Sequence, residues 1–241
     1  MPREYAMTTQ YTRKAGLFSR INWKPVRFVQ LFIFLILFIL LTPLLDRTPL
    51  LSALLSVFFL NILIVSLSSV GFHVRRRWPL IVLWLLGALL DWASLRTGNL
   101  SAAMMFSIAS HIVAALFLII CVVLILRYVL KSHEVTLDTI FGAFVAYFII
   151  AFTFSCIYQA VAEFDPASFS MPGTSDGGHG VSSLRIQLNY YSFVTIATLG
   201  YGDIVPRLPV TQTLAILEAV IGQFYMAGVI AWLVSAYARR Q

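Results

Sequence analysis

The sequence predicts an all-α membrane protein with six transmembrane helices, and three observations support this fold class. Sixty per cent of the 241 residues are hydrophobic, 11% are charged, and the mean hydropathy is +0.88. Average soluble domains carry about 25% charged residues, so a chain this apolar is typical of membrane proteins. Six apolar stretches are long enough, or nearly so, to cross a bilayer. Basic residues collect on one side of those stretches.

The six spans follow from the thickness of the membrane. Its hydrocarbon core is ~30 Å thick and each helical residue rises ~1.5 Å, so one crossing needs roughly 20 apolar residues. The third stretch is short for a crossing, and the fourth is long enough to extend into the cytosol. The predicted spans are about 28–45, 49–71, 79–95, 102–130, 137–160 and 209–238.

Residues 1–26 form a polar, basic segment before the first span. A secretory signal peptide would place its apolar core close to the N-terminus, so we expect no cleavage here. The segment is predicted to lie on anionic lipid or to remain a solvated tail; both interpretations stay open.

The distribution of basic residues sets the orientation. With the N-terminus inside, 13 of the 17 Lys and Arg residues fall on the cytoplasmic side, as the positive-inside rule requires. Both termini are therefore predicted to be cytoplasmic in a multi-pass protein of the inner or plasma membrane, and the segment between the last two spans lies outside. Topology explains the net charge of +7 without a nucleic-acid partner.

The first four spans, residues 27–131, form a predicted helical bundle whose helix number and position resemble a voltage-sensor domain. Such sensors carry arginines on the fourth helix, and each charge moved is worth ~2.3 kcal/mol per 100 mV. No Arg or Lys occurs between Leu100 and Leu126. We therefore expect a degenerate sensor-like bundle, or an unrelated structural one, and no conventional voltage gating. His111, in the fourth span, is interpreted as a hydrogen-bonded packing residue or a pH switch.

The most informative motif, Thr198-Leu199-Gly200-Tyr201-Gly202-Asp203, lies between the last two spans. A potassium selectivity filter needs successive backbone carbonyls turned toward one axis, and glycines at alternate positions permit the backbone angles involved. Gly200 and Gly202 supply them, and the Thr198 hydroxyl would add an inner oxygen ring. The same letters could form a tight turn after a helix, but their position between two apolar stretches favours the filter.

Residues 132–241 contain a region, about 137–238, that resembles the pore domain of tetrameric potassium channels: outer helix, turret, re-entrant pore helix, filter and inner helix. The run 190–197 is similar to the pore helix, and Leu199 stands where the family usually has Val. The resemblance implies K+ coordination by Thr198, Leu199, Gly200, Tyr201 and Gly202. It implies filter support by Tyr190, Tyr191, Thr195 and Asp203. Because Val194 replaces a glutamate found in some bacterial channels, we expect a hydrogen bond between Tyr191 and Asp203.

The inner helix offers further candidates. Gly222 matches the family's gating hinge by register, although glycines also serve as packing sites in membrane helices. The same register points Gln223, Met226 and Ile230 toward the central cavity. Glu218 is an acid inside a span, where carboxylates are costly. We interpret it as a structural hydrogen-bonding residue, with proton sensing as the alternative.

Residues 163–185 are polar and read as the turret, where Asp176 and His179 are weak candidates for a metal site. Cys121 and Cys156 fall within apolar spans and are expected to be buried side chains. The sequence contains no recognisable arrangement of catalytic groups, so we predict no enzyme and no cofactor besides K+ as the permeant ion.

One filter loop per chain implies a homotetramer, because a closed ring of carbonyls needs four loops. The sequence thus predicts a potassium-selective channel in contact with membrane lipids that conducts K+ passively. One alternative is a non-conducting structural or regulatory subunit that co-assembles with another channel chain. A non-selective cation channel is the other, and the intact Gly-Tyr-Gly disfavours it.

Overall fold

The computed structural model describes residues 27–45, 56–57, 60, 62–64, 78–132, 135–171 and 181–239. This part of the chain is mostly helical, as expected where lipid leaves backbone groups no partner except one another. The helices are α1 (Arg27–Leu45), α2 (Trp78–Arg96), α3 (Leu100–Lys131), α4 (Leu137–Phe164), α5 (Val181–Ile196), α6 (Pro209–Phe224) and α7 (Ala231–Ala238). The other elements are a 3₁₀ turn (Pro166–Ser168), two short strands, β1 (Phe169–Ser170) and β2 (Val205–Pro206), and a π-helical segment (Tyr225–Ile230).

Four helices of the described part are long and apolar enough to cross a membrane, and they confirm the third to sixth predicted spans. They are α2, α3, α4 and the continuous helix Pro209–Ala238 formed by α6, the π-helical segment and α7. Helix α1 covers the first predicted span with a shorter apolar stretch, Phe28–Thr42. Most of the second predicted span and all of residues 1–26 lie outside the described residues.

Helix α4 begins with a capping box and is tied to the beginning of α1 by a hydrogen bond. The Thr136 hydroxyl accepts a hydrogen bond from the Thr139 backbone N–H, and the Thr139 hydroxyl accepts one from the Thr136 backbone N–H, both at 3.3 Å. This reciprocal pair is a capping box. In the first turn of α4, Asp138 accepts a hydrogen bond of 2.8 Å from the Phe28 backbone N–H at the start of α1. The beginnings of the two helices are therefore tied together.

The main core is built around α4. Phe32 of α1 packs against Phe141, Phe144 and Phe148 of α4, with ring centroids 5.3–6.0 Å apart. Buried residues of α3 and α7 join the same cluster. This cluster crosses the predicted boundary between residues 131 and 132, so the bundle and the predicted pore region share one core. The division into domains stays a prediction.

A second cluster surrounds α5 and corrects two expectations. The predicted pore helix, 190–197, begins earlier, at Val181, and α4 continues to Phe164. The polar loop is accordingly shorter than the predicted turret. Leu184, Leu188 and Tyr191 recur at helical spacing and pack in this second cluster, which explains the additional turns of α5.

The long C-terminal helix is interrupted by the π-helical segment, which corrects one predicted cavity residue. Gln223 and Met226 are exposed in the single chain, and their place in a cavity stays a prediction, but Ile230 is only 7% exposed and packs in the main core. A π-helix forms i→i+5 hydrogen bonds and changes the register of the residues that follow. Ile230 consequently leaves the exposed face, and its assignment to the cavity is wrong.

Candidate functional site

The predicted filter residues form an exposed loop that leaves α5 through a defined C-terminal cap. The Leu199 N–H donates to the Val194 carbonyl and the Thr198 N–H donates to the Thr195 carbonyl, each at 2.9 Å. Together these bonds make a Schellman motif with Thr198 at the position that glycine usually occupies. Residues 197–203 are all exposed in the single chain.

The backbone of this loop alternates in conformation. Gly200 and Gly202 have φ of 58° and 76°, which confirms that these positions use the freedom of glycine. Thr198 also has φ of 58°, an unusual value for a β-branched residue that costs about 1–2 kcal/mol. Sequence reasoning missed this feature, although Thr198 stands one alternate position before Gly200. A strained residue that the fold maintains indicates a functional constraint.

Helices α4 and α6 hold the end of α5 just before the loop. The Tyr147 hydroxyl of α4 donates to the Ile196 carbonyl at 3.0 Å. A Cβ added to Gly222 of α6 would collide with the same carbonyl and lie 2.8 Å from the Ile196 Cγ1. The structure therefore gives Gly222 a packing role, and the hinge role stays a prediction. Gln223, the next residue, donates from Nε2 to the Thr198 hydroxyl at 3.4 Å.

The two tyrosines predicted to support the filter have different partners. The Asp203 carboxylate is the main reason why the pKa of Tyr190 is raised, through its hydrogen-bonding interaction with the Tyr190 hydroxyl. Tyr191 instead interacts with the Thr195 side chain and packs against Tyr158, with ring centroids 5.2 Å apart. The predicted bond between Tyr191 and Asp203 is wrong. Consecutive helical residues point about 100° apart, so only Tyr190 faces the loop while Tyr191 faces the core.

Beyond the loop, the chain is fastened to the segment that follows α4. Strands β1 and β2 pair antiparallel, with Phe169 opposite Pro206 and Ser170 opposite Val205. The Arg207 N–H donates to the Ser168 carbonyl at 2.8 Å. Two-residue strands have no periodic signature, so sequence reasoning could not find this contact.

Glu218 lies behind α5, completely buried. Its Oε2 accepts a hydrogen bond of 2.6 Å from the Tyr158 hydroxyl of α4. Its Oε1 is hydrogen-bonded to the Ser192 hydroxyl of α5, which also lies 2.6 Å from the Ala151 carbonyl of α4. The predicted structural hydrogen bond to the back of this helix is confirmed, and it joins α4, α5 and α6.

A separate polar contact joins α3 and α4. The His111 Nε2 lies 3.2 Å from Glu163 Oε1, and the Ser107 hydroxyl donates to the same oxygen at 2.8 Å. The expected hydrogen-bonded role of His111 is therefore present. Asp176 and His179 lie outside the described residues.

Comparison with known proteins agrees with this arrangement. Residues 178–239 match a family model described as "Ion channel". The match covers α5, the loop, β2 and the whole C-terminal helix, the elements that surround the candidate site. No curated protein matches this chain.

The fold and the match define the class of protein. The chain is a multi-pass helical membrane protein by the length and composition of its helices, and its C-terminal part, residues 178–239, is similar to ion channels. Ion channels move ions without chemical conversion, and the absence of an enzymatic role in this chain stays a prediction.

Proposed function

We propose that the protein is a potassium-selective channel that conducts K+ passively as a homotetramer. The observation that carries this proposal is the loop at residues 198–202, where Thr198, Gly200 and Gly202 have positive φ. A backbone that alternates in this way can turn successive carbonyls to one side, and such carbonyls replace the water shell of K+ in a filter. In this proposal Thr198, Leu199, Gly200 and Tyr201 coordinate the ion.

The tetramer is supported by the surface around the loop. Leu199 and Tyr201 are 56% and 65% exposed in the single chain, and Phe224 of α6 is 75% exposed. The apolar face of α6 continues toward the polar Gln223, which bonds to Thr198. Lipid would cover an apolar face but would not solvate the loop and Gln223. Four copies around one axis place both against a shared aqueous path.

The other elements take their roles from this arrangement. Helix α5 is the re-entrant pore helix, α4 is the outer helix, and the helix Pro209–Ala238 is the inner helix. Its exposed residues Gln223 and Met226 line the cavity. Gly222 is the proposed hinge, supported by the π-helical segment that begins three residues later.

The proposal also covers the filter support and the rest of the chain. Tyr190 and Asp203 brace the outer end of the filter, and Tyr191 and Thr195 hold α5 against the core. The protein has six spans, with both termini in the cytoplasm and its outer surface in contact with membrane lipids. Residues 27–131 form the sensor-like bundle. The lack of Arg and Lys between Leu100 and Leu126 supports gating that is not conventionally voltage-dependent.

Reversal potentials of the purified protein in liposomes test the proposal. We expect strong discrimination of K+ over Na+ and block by barium. Gly202→Ala places a side chain at φ of 76°, so this variant should lose conduction or selectivity. Gly98→Ala is the matched control, because Gly98 is a loop glycine whose added Cβ meets nothing within 4 Å.

Three results would contradict the proposal in distinguishable ways. Equal permeability of wild-type protein to K+ and Na+ would indicate a non-selective cation channel. Folded tetramers without flux would indicate a structural or regulatory subunit. Full K+ selectivity of the Gly202→Ala variant would indicate that this loop does not determine selectivity.

A further inference from the structure

The carboxyl group of Glu218 is enclosed by neutral groups. Its side chain is 0% exposed, and within the described ranges its hydrogen-bond partners are the hydroxyls of Tyr158 and Ser192. The titratable groups that face it are Tyr147 and Tyr158 on α4 and Tyr191 on α5. All three are phenols, which are neutral near pH 7. Among the residues that the structure describes, no facing group therefore supplies the positive charge that a buried carboxylate needs.

The hydrogen-bond geometry requires one more proton than the hydroxyls can provide. Ser192 Oγ lies 2.6 Å from the Ala151 carbonyl and also contacts Glu218 Oε1. A serine hydroxyl has one proton, and a carbonyl has none to give. With an ionised Glu218, only one of these two short contacts can be a hydrogen bond, and the other brings two acceptors together. A proton on Glu218 Oε1 makes both contacts hydrogen bonds.

We propose that Glu218 is a neutral carboxylic acid that positions the pore helix: it donates from Oε1 to Ser192 and accepts from Tyr158 at Oε2. This inference rests on the proposed function for its effect on conduction, whereas the protonation state stands on the geometry alone. The Ser192 hydroxyl in turn donates a hydrogen bond to the Ala151 carbonyl. One chain of hydrogen bonds thus runs from α6 through α5 to α4.

The position of Glu218 gives this chain an effect on the filter. Gly222, one helical turn after Glu218, packs against Ile196 at the end of α5. Loss of the Oε1 proton leaves the Ser192 hydroxyl with one proton for two acceptors, so one of its two hydrogen bonds is lost and the middle of α5 is held less firmly, while the contact at Ile196 remains. We expect α5 to shift and conduction to fall as pH rises into the alkaline range. Glu218 acts through α5 and does not touch the ion.

Glu218→Gln is the decisive variant. Its amide oxygen can accept from Tyr158 and its amide nitrogen can donate to Ser192, so it reproduces the neutral acid but cannot ionise. Glu218→Ala removes both bonds. At neutral pH we expect flux and K+ selectivity of Glu218→Gln to match the wild type, whereas Glu218→Ala loses both.

Infrared spectroscopy of the purified protein tests protonation independently of flux. The wild-type protein at neutral pH should show a carboxylic-acid C=O band that is absent in Glu218→Gln and retained in the control Glu163→Gln. Because the neutral fraction of an acid falls about tenfold for each pH unit above its midpoint, flux should fall in parallel with this band. Flux through Glu218→Gln should not change over the same pH range.

Three outcomes would overturn the inference. The first is the absence of a Glu218 band at neutral pH. The second is loss of the band at alkaline pH with unchanged wild-type flux and selectivity. The third is a folded, tetrameric Glu218→Gln protein that has lost selectivity. Failure of the proposed function can be distinguished from failure of this inference. The infrared band reports the protonation state of Glu218 even in a wild-type protein that conducts no ions.

Discussion

Replacement of Gly222 by alanine distinguishes a packing glycine from a simple hinge. The added Cβ would collide with the Ile196 carbonyl and lie 2.8 Å from Ile196 Cγ1 and 3.2 Å from the Ile196 carbonyl carbon. Two of these three atoms belong to the backbone, so a rotamer change of Ile196 cannot relieve the overlap. Overpacking of this kind costs about 1–3 kcal/mol. Alanine recovers about 0.5–1 kcal/mol from its better helix propensity.

The expected net effect is a loss of about 1 kcal/mol in the free energy of unfolding. Gly87→Ala is the matched control, because Gly87 lies inside α2 and its added Cβ meets Val113 at an ordinary 3.4 Å. It should be neutral or slightly stabilising. Denaturant titration of detergent-solubilised protein measures both variants. A Gly222→Ala protein as stable as the wild type, with altered channel opening alone, would refute the packing argument.

Two further predictions concern the ends of the loop. Tyr147→Phe removes the donor to the Ile196 carbonyl and should lower the free energy of unfolding by about 1 kcal/mol; unchanged stability in the same titration would contradict the role of this bond. Asp203→Asn weakens the hydrogen-bonding interaction, and removes the charge, by which Asp203 raises the pKa of Tyr190. The pKa of Tyr190 should therefore fall toward its ordinary value, so that its phenolate forms at lower pH. An ultraviolet difference titration against the wild type checks this, and identical curves would exclude the contact.

The spans and the filter glycines could be predicted because each depends on local sequence. A run of apolar residues is sufficient to define a membrane helix, and a glycine at an alternate loop position has few other uses. The left-handed backbone conformation of Thr198 was missed because it depends on the C-terminal cap of α5. Glycine is the residue that usually indicates such a cap in a sequence. The early start of α5 was missed because its apolar face repeats only twice, at Leu184 and Leu188, before the conspicuous aromatic residues.

Other differences arose from contacts between distant segments. The buried position of Ile230 depends on the π-helical segment. Neither a proline nor a charged residue marks the position in the sequence where that segment begins. The choice between Tyr190 and Tyr191 as the partner of Asp203 depends on which side of α5 faces Phe169. Phe169 lies 21 positions before Tyr190 in the sequence, and its ring packs against Tyr191. The partners of Glu218 come from two other helices. Tertiary packing decides each of these cases.

Helix α4 controls both ends of the loop at residues 197–203. Tyr147 binds the Ile196 carbonyl at the start of the loop, and Ser168, just after α4, binds Arg207 beyond its end. A sideways displacement of α4 would therefore carry the loop along as a unit, with little change in its length. In the proposed channel, such a displacement would move the oxygen atoms of one loop together and keep their spacing within that subunit.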